Sequence, residues 1–492
     1  MTCNADVFLL RRLCLMLFLL VVLPSFVLAD ETHAKHWRDL TVNDLSVIRQ
    51  LIITSHPGAI DSDNESFADW VERGYLEANQ LSKRVDSRKD SQAVLNFYIA
   101  GFKDGHVGLN QPNKGKSSWA GFILDMRGQS FVVKQVAKNW PIPLPPIDSE
   151  VISCGNKSVR EKLESEISPY VDRRLNLQST WLHLAQQLTV DDANYPVLAR
   201  DLSKSCLVAL PNGVRQNFTL LWQEDSGQLE AFMRQPQPPQ TLRNLGGGRY
   251  WIHVSNFMPS AADNASLDKM LEAIKSINDA KLVVLDTRGN RGGNSLVGAR
   301  ILSALLGSPW AKSLDGPSRA YAMWRVSPFA LSTLNKALTA MGSDYGKDSE
   351  AYKFVFGLTN SMELALHEKQ GWLRQPNTSS IDQEGSRGLN TQGFKGKLAL
   401  VTDSFCVSAC LDFADVVLAI PGVVHLGLST SGDTLYIDVG SQTLPSGAQF
   451  WLPLKVWRDR TRGNNKSYDP QFVFNGDIND TAAVQKWVLD HL

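Results

Sequence analysis

Three separated stretches of this sequence carry side chains suited to nucleophilic catalysis. The first is Lys397–Thr402, an apolar strand-like run that leads through Asp403 to Ser408 and then into a helical pattern over Ala409–Ala419. A serine hydroxyl is a poor nucleophile until a neighbouring base takes its proton, and its reaction needs backbone N–H donors for the oxyanion. At a strand-to-helix turn the first helical N–H groups have no partner, so the N–H of Ala409 is one such donor. The same position also suits a plain helix N-cap, where serine is a favoured residue. The second stretch is Arg288-Gly-Asn-Arg-Gly-Gly-Asn294, which follows the buried-type strand Lys281–Asp286. Gly292 and Gly293 there let backbone approach a reacting centre and adopt unusual φ, offering a further N–H donor. The third is Asp104-Gly105-His106, where His106 follows a helix end in a loop-forming context and is placed to act as base. His425 lies nearer Ser408 in sequence, but Val423–Leu426 reads as strand.

Positioning these residues requires an alternation of strands and helices. Residues 248–307 and 395–440 supply it: Arg249–Val254, Lys281–Asp286 and Lys397–Thr402 as strands, Leu267–Ile277, Ser295–Leu306 and Ala409–Ala419 as helices. Residues 315–380 interrupt that pattern with helical sequence, read as a cap over the core. Residues 38–102 are helical, with Leu45, Ile48 and Ile52 at helical spacing, and again Phe67, Trp70 and Val71. Residues 118–222 change to short strands: Ala120–Leu124, Ser130–Val133, Glu150–Ser153, Cys206–Leu210 and Gln216–Trp222, with a helical insertion near 170–204. The proline-rich run 235–240 reads as a linker. The expected division is therefore a leader 1–29, a helical N-terminal segment 30–115 carrying His106, a strand-rich domain 116–235, and a core 242–492.

The 492 residues include 43% hydrophobic and 20% charged, enough to bury several cores. Lys plus Arg and Asp plus Glu number 50 each, which gives no electrostatic reason to expect nucleic acid as a partner. Arg11-Arg12 precede an apolar run Leu13–Leu23, followed by Pro24 and by Val27-Leu28-Ala29. That is the pattern of a cleaved secretory signal, shorter than the roughly 20 apolar residues of a membrane span. The alternative is an uncleaved membrane anchor. The expected compartment is periplasmic or extracellular, with no stable membrane span once the leader is gone.

Four cysteines remain beyond the leader, an even number in an oxidising setting. They allow three pairings, and sequence does not choose among them. The pairing taken is Cys154 with Cys206 and Cys406 with Cys410, against the alternative of four free thiols. Neither zinc spacing nor any organic cofactor is indicated. Asn156, Asn217 and Asn264 fit the glycosylation sequon, a short pattern that recurs by chance.

Lys281–Asn294 resembles the strand and glycine-turn signature of the C-terminal-processing (tail-specific) peptidases and their tricorn-core relatives. Leu398–Cys410 resembles the nucleophile segment of that family, whose serine falls on Ser408. Lys103–Gly108 is similar to the histidine segment of the tricorn-like branch, which falls on His106. The resemblance implies a crotonase-like α/β core of ββα units, a helical N-terminal segment and a PDZ-like domain over 118–222. It further implies a polypeptide substrate and recognition of a peptide end by strand addition. Two departures stand out. The processing branch carries a lysine about 25 residues after its serine, where this chain reads Ser429-Thr-Ser-Gly-Asp433. The tricorn-like branch carries a late carboxylate, whose place falls near Lys466; Asp469 is the nearest acid and Asp459 another.

The resulting expectation is a serine-type peptidase. Ser408 attacks a peptide carbonyl, His106 takes and returns the proton, and Asp469 orients the histidine. The oxyanion is held by Ala409 N–H and by one from Gly292 or Gly293. The alternatives are a catalytically silent binding protein of the same fold, taking peptides or small apolar ligands, and an esterase of small acyl substrates.

Overall fold

The computed structural model describes residues 6–112, 115–233, 239–277, 280–307, 320–344, 346–376, 394 and 396–492. The expected leader lies partly outside them; residues 6–29 are described only as backbone, the start of a helix that runs Asp6–Ser55. Among the described residues, no helix is long and apolar enough to cross a membrane.

The architecture is mixed α/β, with several sheets. The central sheet has six strands in the order Thr241–Gly246, Arg249–His253, Leu282–Asp286, Lys397–Thr402, Val424–Gly427 and Phe472–Val473. The first pair is antiparallel and all later pairs are parallel. Side chains alternate between faces along a strand, so a strand covered on both sides must be apolar throughout. Leu282–Asp286 is buried at all five positions. Val283 and Leu285 join Leu398 and Leu400 in one core, under the helices Ala261–Lys275, Ser295–Leu306 and Ala409–Leu418. Leu282 and Val284 join Ala399 and Val401 in another, under the helix Thr481–Asp490. Loops leaving the carboxyl ends of such parallel strands share one edge, the usual location of a site in open α/β sheets. The turn 287–294, the loop 403–408 and the segment 428–434 all leave from that edge.

A second sheet is antiparallel. Gln449–Arg458 pairs with Gly108–Asn110, with Tyr321–Arg325 and with Tyr436–Thr443, and Trp372–Arg374 pairs with Tyr321–Arg325. The helices Glu65–Ser82 and Arg88–Ala100, with the end of the first helix, pack on it: Leu45, Ile48, Trp70 and Tyr98 share one core with Tyr436, Phe450 and Leu452. The region expected to be a wholly helical cap contains the strands Tyr321–Arg325 and Trp372–Arg374. They bracket the helices Pro328–Asp344 and Glu350–His367 and fasten them to this sheet. A third sheet runs Phe122–Arg127, Ser130–Val136, Glu150–Cys154, Ser205–Ala209 and Arg215–Thr219, covered by the helix Gln178–Leu188. Cys154 and Cys206 face each other across adjacent strands of that sheet and form a disulfide. Cys406 and Cys410 form a second.

Candidate active site

The glycine turn is built on Asp286. Burial alone would raise the pKa of this carboxyl, but five donors oppose it. They are His253 Nδ1 at 3.1 Å, Arg288 Nε at 2.9 Å, Nη2 at 2.7 Å and backbone N–H at 3.1 Å, and Trp251 Nε1 at 3.0 Å. Together they hold Asp286 well below the carboxylate range. Arg288 also donates to the carbonyl of Ile478 at 2.6 Å, so the turn leaves the strand in a fixed direction.

Asn290 shapes the rest of the turn. Its Nδ2 donates to Val254 O, and its Oδ1 accepts the N–H of Gly292, both at 2.8 Å. The N–H of Gly292 is therefore consumed inside the turn, which removes it as an oxyanion donor. The N–H of Gly293 has no acceptor among the described residues. Gly292 serves by its lack of a side chain. At φ 83°, a Cβ there would stand 2.5 Å from Val407 O, 2.9 Å from Ser408 Cβ and 3.1 Å from Ala409 N. The turn lies directly against the nucleophile loop.

Ser408 has φ 56° and ψ −123°, a left-handed backbone unusual for a residue with a side chain. It stands at the N-cap position of Ala409–Leu418, yet its hydroxyl makes no capping hydrogen bond. A serine present to cap would adopt extended backbone and accept a helical N–H. This one instead holds a conformation costing about 1–3 kcal/mol with its hydroxyl free, the arrangement of a nucleophile elbow. Ala409 N–H has no acceptor among the described residues, so it and Gly293 N–H are the available donors. Asp403 ties the two loops together. Its Oδ2 accepts Gly289 N–H at 2.8 Å and its Oδ1 accepts Phe405 N–H at 3.0 Å. Burial pushes its pKa up to about 6.

His106 comes from the second sheet, two residues before Gly108 pairs with Trp451. Its loop is anchored by Asp104, which is buried. Asp104 Oδ1 accepts the N–H of His106 at 2.8 Å and the hydroxyl of Thr434 at 3.0 Å, while its Oδ2 faces His56 Nε2 at 3.2 Å. His56 Nδ1 accepts the N–H of Gly58, which leaves the proton of a neutral ring on Nε2, pointing at Asp104. Burial lowers the pKa of His56 and favours that neutral form.

His106 Nδ1 is 3.4 Å from Asp433 Oδ1 and 3.9 Å from Asp104 Oδ1. The carboxylate facing the histidine is thus Asp433, and not Asp469. Asp469 is exposed, accepts the hydroxyl of Ser467 at 3.2 Å and lies beside His425. Asp459, the other candidate, is also exposed. The reason is the path of the chain beyond Leu428. Ser431 N–H donates to Cys406 O at 3.0 Å, which brings Asp433 back beside the nucleophile loop. Asp433 then bridges Lys466 through the backbone, and Asn465 N–H donates to its carbonyl at 2.7 Å. Lys466, to which the resemblance pointed, is therefore the backbone neighbour of the acid. Asp433 is buried and its pKa is raised by that burial, with His106 pulling the other way. Its place after Ser408 is the place of the lysine in the processing branch. That spacing, with the Asp104-Gly-His106 motif, was the available signal for it. The hydroxyl of Ser408 makes no hydrogen bond to His106 or to any other described residue, and His106 Nδ1 faces Asp433 without a hydrogen bond.

A cleft of about 410 Å³ opens between the helix Gln178–Leu188 and the nucleophile loop. Val407, Phe405, Arg291, Leu182, His183 and Tyr195 line it. The Arg291 guanidinium lies over the Phe405 ring, 4.8 Å from its centre.

Residues 250–469 match the family model described as peptidase family S41. Its core is that of an S41 peptidase. The matched span holds Ser408, the glycine turn and Asp433, while His106 lies before it. Among solved structures, mature CPAF complexed with lactacystin is similar at a TM-score of 0.64 and 14% identity, over 92% of this chain and 99% of that one. Mature CPAF itself gives 0.63 and 12%, over 89% and 93%. The photosystem II D1 C-terminal processing protease gives 0.38 and 12%, over 88% and 93%. No curated protein sequence matches the chain. Residues 250–469 thus carry the serine-type peptidase core of that family.

Proposed function

We propose that the protein is an exported peptidase that cleaves peptide bonds through an acyl-enzyme on Ser408, with His106 as general base and Asp433 as the carboxylate that orients it. The observation that carries this reading is Ser408 itself, left-handed, uncapped and flanked by two free N–H groups. The substrate carbonyl enters with its oxygen toward Ala409 N–H and Gly293 N–H. His106 takes the Ser408 proton through Nε2 while Asp433 faces Nδ1 and stabilises the imidazolium. The proton passes to the leaving amine, and water then releases the acyl group with His106 acting again. Closure of Ser408 onto His106 accompanies substrate binding, since such contacts tighten in the Michaelis complex.

Export is supported by the leader pattern and by two disulfides. The region 118–222 is read as PDZ-like and the 242–492 core as crotonase-like. Phe122–Arg127 lies at the end of its sheet, where a peptide could add as a further strand. The unengaged Ser408 hydroxyl also fits a silent binding protein of the same fold. A fluorophosphonate probe decides between them: the peptidase is labelled at Ser408, and Ser408→Ala and His106→Ala each lose labelling and peptide turnover. Folded protein that is not labelled would refute the peptidase mechanism. Lactacystin, present in the complex of a neighbouring structure, serves as a second probe in competition with the first.

A further inference from the structure

We infer that the Cys406–Cys410 disulfide is a positioning element that holds Ser408 in its reactive conformation, so that the nucleophile reaches its full reactivity on oxidation. The inference rests on Ser408 being the nucleophile. The two cysteines are four residues apart and Ser408 is the midpoint between them. Both are fully buried, and nothing in the serine side chain itself fixes its backbone. The ring also reaches the base. Cys406 N–H donates to Asp403 O at 3.2 Å and Cys406 O accepts Ser431 N–H at 3.0 Å, two residues before Asp433. One covalent ring thus fixes the serine and anchors the segment that presents the acid to His106.

The relaxed alternative follows from helix chemistry. Without the bridge, Ser408 can leave its left-handed backbone for the extended form of an ordinary N-cap. Its hydroxyl would then accept the N–H of Cys410 or Leu411. The same residue is a nucleophile in one form and a cap in the other, and the bridge selects between them. A disulfide donor such as oxidised glutathione makes the bridge. One cysteine thiolate attacks the donor and expels one thiol. The other thiolate then displaces the second, so two electrons pass to the donor, which leaves as two thiols. In a reducing compartment the thiols persist and the serine reacts slowly; after export the bridge forms.

The full chain is tested with the fluorophosphonate probe. In Cys406→Ala plus Cys410→Ala, labelling of Ser408 slows by about tenfold or more, the factor that corresponds to an unsupported left-handed residue. In Cys154→Ala plus Cys206→Ala it is unchanged. Dithiothreitol, with released thiols counted by mass, reproduces the loss in wild type, and oxidised glutathione restores it. Loss of labelling with the near-ultraviolet circular dichroism and the thermal transition retained marks positioning rather than general destabilisation. If the first double variant does not fold, the reduced and reoxidised wild type decides. Labelling that is indifferent to the bridge overturns this inference alone. Oxidised, folded wild type that is never labelled overturns the nucleophile reading, and this inference with it.

Discussion

Gly292→Ala tests the packing of the glycine turn against the nucleophile loop, and Gly422→Ala supplies a matched control. The two glycines share a positive φ, 83° and 82°. Gly422 has no atom within 4 Å of an added Cβ, whereas Gly292 would bring one to 2.5 Å from Val407 O and 2.9 Å from Ser408 Cβ. Gly422 also precedes the strand Val424–Gly427, at the sheet edge opposite the site. A left-handed alanine costs about 1–2 kcal/mol, and that is the whole effect expected at Gly422. At Gly292 the backbones must also part, an overpacking of about 1–3 kcal/mol, for a total of about 2–5 kcal/mol. Parting them by up to about 1 Å moves Ser408 and Ala409 N–H off the attack line, worth about 10²-fold in rate. Urea unfolding reads the first quantity, and probe labelling with peptide turnover reads the second. Gly422→Ala should lose stability and keep its rate, while Gly292→Ala loses both. Equal rates in the two variants would refute the claim that the turn is pressed against the nucleophile.

Two further substitutions separate the acids. Asp433→Asn should slow turnover by about 10³-fold or more, since the amide no longer stabilises the imidazolium, while Asp469→Asn leaves the rate unchanged; the reverse order in steady-state kinetics would return the role to Asp469. Asp403, pushed up from the ordinary 3.8 to about 6, binds its proton more tightly folded than unfolded. Its contribution is therefore fully present below about pH 4 and lost as pH rises through 6, worth about 3 kcal/mol. Chemical denaturation of wild type and Asp403→Asn at pH 4 and pH 7 should show wild type gaining that much relative to the variant on the acid side. A difference that does not vary with pH refutes the raised pKa of the buried Asp403.

Much of the central sheet could be read directly, because parallel strands covered on both faces are apolar throughout. Lys281–Asp286 and Lys397–Thr402 announced themselves in that way, and the turns at Gly292 and Ser408 followed from their ends. The strands Tyr321–Arg325 and Trp372–Arg374 were not legible. Each is short, half-buried and rich in residues that also suit helices, and their strand character comes from pairing with Tyr321's distant partner Arg458 and its neighbours. The acid was only partly legible. Its spacing after Ser408 hinted at it, but Asp433 faces His106 through Ser431 N–H to Cys406 O and Thr434 to Asp104, contacts that no local pattern encodes. The reading near Lys466 reached the backbone neighbour of Asp433, while the acid it named, Asp469, does not face His106. Gly292 misled for a subtler reason: a glycine pair advertises close approach, but Asn290 decides which N–H stays free.

The proposed nucleophile and base belong to different cores. Ser408 opens a helix packed among Ile252, Leu285 and Leu400, whereas His106 hangs from the sheet that shares its interior with Leu45, Trp70 and Phe450. Polar contacts couple the two bodies: Thr434 to Asp104, Asn465 Nδ2 to the carbonyl of Lys103 at 2.8 Å, and the ion pairs of Arg460 and Arg462, just beyond Gln449–Arg458, with Asp412 and Asp415 of the helix that Ser408 opens. Catalytic competence is then a property of their alignment rather than of either one. If those pairs give way on warming before either core melts, turnover should fade at a temperature where tryptophan fluorescence still reports both interiors intact.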